Sequence, residues 1–126
     1  MKKIPSLLII LMSVLAFASC GESHEAKGQV KEFMANAMGL KDYDVIAWSS
    51  IDSTSHVTDS MLTVMHKKAV QDKIVKGNPA YAKRTQKMGI ITVAYSVNND
   101  TVQNTFYLAD KQQGIVGVKK DVFNHQ

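Results

Sequence analysis

One cysteine in 126 residues excludes a disulfide within the chain, so the fold must hold itself together by packing alone. Two prolines and seven glycines are too few for a fibrous or low-complexity chain. With 45% hydrophobic and 21% charged residues, the balance is that of one ordinary globular domain. Charge of one sign is also scarce. The net charge of +4 falls to +2 once Lys2 and Lys3, in the segment read below as a leader, are set aside. That excess is too small to mark a nucleic-acid partner, even with a pI near 9.2. Several catalytic and metal signatures are missing too. There is no HExxH, CxxC or H-x-H spacing for a metal and no G-x-S-x-G elbow for a serine nucleophile. Gly28, Gly39, Gly77, Gly89, Gly114 and Gly117 are too scattered for a phosphate loop. The reading therefore carries no cofactor, no metal and no catalytic residue.

The N-terminus is the informative segment. Lys2 and Lys3 precede Leu7–Ala18, in which 11 of 12 residues are apolar. At 1.5 Å per residue such a run is short for ~30 Å of hydrocarbon but suits the core of a secretory signal peptide. It ends in Phe17-Ala18-Ser19-Cys20-Gly21. This resembles the lipobox of bacterial lipoproteins, in which a large apolar residue and two small ones precede a cysteine that is lipidated and becomes the new N-terminus. The resemblance implies a signal peptide over 1–19, lipidation of Cys20 and a palmitate-bearing membrane anchor. It also accounts for the lone thiol. Gly21 in place of Asp after the cysteine implies, by the same resemblance, the outer membrane of a Gram-negative envelope.

Residues 20–27 read as the lipidated cysteine and a polar tether, and 28–126 as a single α+β domain. Val30, Phe33, Met34, Ala37 and Met38 form one helical stripe, closed by Gly39. A strand over 43–51 carries Tyr43, Val45, Ala47 and Ile51 on one side and Ile46 and Trp48 on the other. This predicts a strand covered on both faces. Residues 52–60 read as a polar connection ending in an Asp59 or Ser60 N-cap, and a second helix follows over 60–76 to Gly77. Its wet face is read as His66, Lys67, Lys68 and Lys73, and 79–88 as room for a short helical turn. Period-two alternation at Ile91, Val93, Tyr95 and Val97 leads to an Asn98-Asn99-Asp100 hairpin. Return strands carry Val102, Phe106, Leu108 and then Val116, Val118 and Val122. The expected architecture is two helices packed on a four-stranded antiparallel sheet in the order α-β-α-β-β-β.

Lys31-Glu32-Phe33, the run Lys41-Asp42-Tyr43-Asp44-Val45-Ile46-Ala47-Trp48 and the late hairpin resemble small bacterial lipoproteins with a cystatin-like or nuclear-transport-factor-like domain. That resemblance implies a cystatin-like fold and assigns no functional residue beyond Cys20. The fold hosts both enzymes and binding modules.

Among chemistry-bearing residues, His56, Asp59 and His66 are weighed as a metal site and read as solvated side chains. Asp42 and Asp44 are weighed as a carboxylate pair and read as strand-entry chemistry. Lys67, Lys68, Lys73, Lys76, Lys83, Arg84 and Lys87 place seven positive charges in 21 residues, with Asp72 the only negative one. Such a stretch suits anionic headgroups, lipopolysaccharide or an acidic glycan, with Lys67, Lys68, Lys83 and Arg84 as contacts, or it is a solvated face. Trp48, Tyr95 and Tyr107 line a groove or, for Trp48 and Tyr95 in particular, belong to the core.

These readings converge on a lipid-anchored, non-enzymatic binding or accessory module whose partners are the membrane and an envelope protein or glycan. One alternative is an inhibitor of a secreted enzyme that wedges in the Asn98–Asp100 and Lys111–Gly114 turns. It would do so without the Gln-x-Val-x-Gly motif of true cystatins. A third is a small hydrolase or isomerase of the same fold.

Overall fold

The computed structural model describes residues 23–121. Cys20 and Val122 lie outside the described residues. Over the described residues the chain is α+β, with two helices and a five-stranded antiparallel sheet. The extra strand replaces part of the expected polar connection, so the order is α-β-β-α-β-β-β.

Helix α1 covers 23–36. Residues 23–27, expected as tether, are helical. The reason is Ala26, which is fully buried and extends the stripe of Val30, Phe33, Met34, Ala37 and Met38 toward the N-terminus. At the other end the Leu40 N–H reaches back to the Met34 carbonyl at 3.0 Å across Gly39, whose φ of +68° suits glycine.

Strands β1 (Asp44–Trp48) and β2 (Asp52–Thr54) pair with different stretches of β3 (Met88–Val97) and together form one broken edge. Ser49 bridges the break. Its N–H donates to the Thr92 carbonyl and its Oγ accepts from the Thr92 N–H, both at 2.9 Å. β2 escaped the sequence reading because Asp52-Ser53-Thr54 has no apolar alternation, and backbone pairing alone makes it a strand. β1 also departs from expectation. Between Val45, opposite Tyr95, and Ala47, opposite Ala94, Ile46 is an unpaired bulge residue. The bulge shifts the alternation, so Val45 and Trp48 both pack on the main core while Ile46 is 57% exposed. An edge strand with one wet side replaces the strand covered on both faces.

β3 turns through Asn98 and Asn99, with φ of 51° and 68°, into β4 (Asp100–Leu108). Both central residues at positive φ are the signature of the hairpin turn whose twist matches the strands. A turn over Asp110–Gln112, with Lys111 and Gln112 at positive φ, leads to β5 (Ile115–Lys120), and the sheet order is β1-β3-β4-β5 with β2 also on β3.

Helix α2 spans Asp59–Gln71 and is capped by Thr58, whose side chain accepts the Met61 N–H at 3.2 Å. The cap is one residue earlier than expected, and the helix stops before Gly77. Lys73 takes a left-handed φ of 59°; its N–H returns to Val70 at 3.1 Å and that of Ile74 to Ala69 at 2.8 Å. This is a Schellman closure built on lysine instead of glycine. Residues 79–85 carry no helical turn. They run beside β5, where Ala82 N–H donates to the Ile115 carbonyl at 2.8 Å.

One sheet face holds Ile91, Val93, Tyr95, Phe106, Leu108 and Val118 under α1, and the other joins Met88, Tyr107 and Val116 to Val57 and Leu62. α2 lies across β5 and belongs to both clusters, through Leu62 on one side and Ala69 on the other. Gly117 permits this. A Cβ there would meet Met65 Sδ at 2.8 Å and Leu62 Cδ2 at 3.3 Å.

Candidate functional site

α2 carries two apolar stripes. Leu62, Met65 and Ala69 face the fold, whereas Met61 and Val64, three residues apart, stay 49% and 64% exposed. The second stripe opens on a groove of about 1220 Å³ between α2 and the strand ends at 100–103 and 119–121. Met61, Val64, Met65, Ile74, Val102 and Tyr107 give it an apolar lining. Charges of both signs surround that lining. Lys119 Nζ sits 5.7 Å from the Tyr107 ring centroid, and Gln103 Nε2 donates to Asp121 Oδ2 at 2.6 Å. Lys68 Nζ is 3.4 Å from Asp72 Oδ2 on the same helix. The arrangement offers apolar contact area with polar groups at its margin, as ligand and peptide grooves do.

Val64 is a groove residue absent from the sequence-based candidates. The signal that finds it is the Met61–Val64 spacing, read as a stripe separate from Leu62, Met65 and Ala69.

The residues singled out earlier are dispersed. Lys67 and Lys83 are exposed. Lys68 is paired with Asp72, and Arg84 Nε donates to Asp59 Oδ1 at 2.7 Å, so two of the four proposed anionic-surface contacts already have carboxylate partners. His66 is not on the wet face. It is half-buried, its Nε2–H donates to the Val116 carbonyl at 2.7 Å, and its ring stacks on Tyr81. His56 is exposed and Asp59 holds Arg84, so the three are not brought together. Among the described residues no group of three or more His, Cys, Asp or Glu side chains converges as metal ligands. Asp42 and Asp44 are both exposed.

Of the aromatic trio, Tyr95 is buried and its hydroxyl donates to Asn104 Oδ1 at 2.6 Å. Burial, with a smaller contribution from Tyr43, pushes its phenol up to about 12. Trp48 is half-buried against the main core, and Lys27 Nζ lies 5.6 Å from its ring centroid. Tyr107 alone reaches the groove. A second hollow of about 580 Å³ lies between α1 and 76–82, lined by Phe33, Lys76, Asn78 and Tyr81 among others. Burial raises the Tyr81 phenol, whose oxygen has no hydrogen-bond partner among the described residues.

The Asn98-Asn99 and Lys111–Gly114 turns lie at opposite ends of β4, which at ~3.3 Å per residue separates them by roughly 27 Å. One wedge cannot use both. Among the described residues no helix is long and apolar enough to cross a membrane. No protein family, no curated protein and no solved structure matches this chain.

Proposed function

We propose that this protein is a lipid-anchored envelope protein whose folded domain is a non-enzymatic binding or accessory module and whose partner seats in the groove beside α2. The observation that carries the binding reading is the exposed Met61–Val64 stripe facing that groove. A large side chain left exposed three residues from another, over an apolar lining, is what a partner covers. The anchor reading is supported by the lipobox-like Ala18-Ser19-Cys20 after a basic, apolar leader. We read the fold as cystatin-like, supported by a helix packed across an antiparallel meander. On this reading the protein sits in the outer membrane of a Gram-negative bacterium, and its second partner is an envelope protein or glycan. Nucleic acid is not among its partners.

The inhibitor reading loses its two-turn wedge to the separation along β4, and the groove serves a binding module better than a hydrolase or isomerase. The test is site-specific photo-crosslinking in intact envelopes. A photoreactive residue at Val64 is expected to capture a defined envelope component that the same residue at Ile46, on the opposite edge of the sheet, does not. Equal capture from both positions, or none from Val64, overturns the groove as the binding site.

A further inference from the structure

Two surfaces compete to face the bilayer, and they lie on opposite edges of the sheet. The basic residues Lys67 and Lys68 are on α2 beside β5, whereas β1 forms the other edge. Three strand spacings of ~4.8 Å put about 14 Å between those edges. Which edge the membrane meets depends on where the anchor enters the fold.

α1 decides this. It is helical from residue 23, only three residues after Cys20, so the link between them reaches at most about 11 Å. The described residues of α1 are docked, with Ala26 and Val30 fully buried. The helix is therefore fixed within the domain, and the anchor enters within that distance of residue 23. One turn along from residue 23, Lys27 places its ammonium over the ring of Trp48, the last residue of β1. A half-buried indole topped by an ammonium, at the end of the domain tied to the anchor, has the amphipathic character that suits the headgroup layer. Ile46, the bulge residue of the same edge strand, adds a large exposed apolar side chain there.

Resting on the reading that Cys20 carries the lipid, we propose that residues 23–27 of α1 and the β1 edge, with Trp48, Lys27 and Ile46, form the bilayer-facing surface. The Lys67, Lys68, Lys83 and Arg84 region and the groove then face away from the lipid. This orientation leaves the groove open to a partner while the anchor holds the opposite edge down.

Trp48 is the single tryptophan of the chain, so its fluorescence reports this surface directly. The processed chain from Cys20 onward contains every described element. Coupled through the Cys20 thiol to a maleimide-bearing lipid in phosphatidylcholine–phosphatidylglycerol vesicles, it is anchored without any cellular enzyme. The expected result is a blue-shifted Trp48 emission that is largely quenched when the acyl chains carry bromine near the glycerol. A Trp48→Phe, Val64→Trp variant, with its indole in the groove, should keep its emission. Trp48 emission unchanged by brominated lipid, or the Val64→Trp indole quenched as strongly, overturns the orientation. Because the coupling is chemical, a chain that proves to be unlipidated in cells removes the anchor reading and leaves the vesicle measurement intact.

Discussion

His66 and Tyr81 stack face to face, with ring centroids 3.7 Å apart and planes within 5° of parallel. The stack joins α2 to the 79–85 segment, and the Val116 carbonyl receiving the His66 N–H ties both to the outer edge of β5. An edge strand without such covering exposes a row of unpaired backbone groups. Here Ala82 takes the Ile115 carbonyl and His66 the next one, so a polar side chain and a loop do the work of another strand.

His66→Ala loses both the stack and the hydrogen bond, and is expected to cost about 1–3 kcal/mol, from ~0.5–1.5 for each. Tyr81→Phe should be neutral or stabilising, because it removes a buried hydroxyl that has no partner among the described residues and keeps the ring. Urea denaturation of the two variants checks this. A Tyr81→Phe loss as large as that of His66→Ala would mean the hydroxyl is satisfied.

Lys73 holds a conformation that costs an L-residue with a β-carbon roughly 1 kcal/mol and costs glycine almost nothing. Lys73→Gly should stabilise the protein by up to about 1 kcal/mol, which raises the melting temperature of a domain this size by roughly 4–8 °C. A lowered midpoint would contradict the left-handed closure of α2.

Tyr95 adds an alkaline limit. Its folded-state pKa is raised above the ordinary value of 10.0 to about 12, mainly by burial, so the folded state holds the proton more tightly than the unfolded one. The stability that this contributes is fully present below pH 10 and is lost as the pH climbs toward 12. Tyr95→Phe should flatten the fall in stability over that window, at the cost of leaving Asn104 without its donor. Denaturation midpoints measured across the window for both chains give the comparison. Identical slopes would rule Tyr95 out as the group responsible.

The elements that were legible in the sequence are those that bury a regular stripe. Val30, Phe33, Met34 and Ala37 announced α1, and Ile91, Val93 and Tyr95 announced β3, because burial on one face imposes a period. Asn98-Asn99 announced its own turn through its tolerance of positive φ. What could not be read has other physical causes. β2 is held by backbone hydrogen bonds, which leave no mark on Asp52-Ser53-Thr54. The Ile46 bulge moves Trp48 to the core side by inserting one residue, a change invisible to alternation. The helix stop at Lys73 defies the preference that pointed to Gly77. The groove was illegible for a further reason: Val64 and Val102 come to line it together only once β5 and α2 have packed through Gly117.

Anchoring of the domain to lipid through Cys20 is checked by the mass of the N-terminal peptide of the protein purified from bacterial membranes, with and without labelled palmitate. The expected chain begins at Cys20, with a diacylglycerol joined to its sulfur through a thioether, an acyl chain on its amino group and label in those chains, whereas a Cys20→Ala variant retains residues 1–19 and takes up no label. A wild-type chain with a free Cys20 thiol, or a Cys20→Ala variant that still incorporates palmitate, would contradict it.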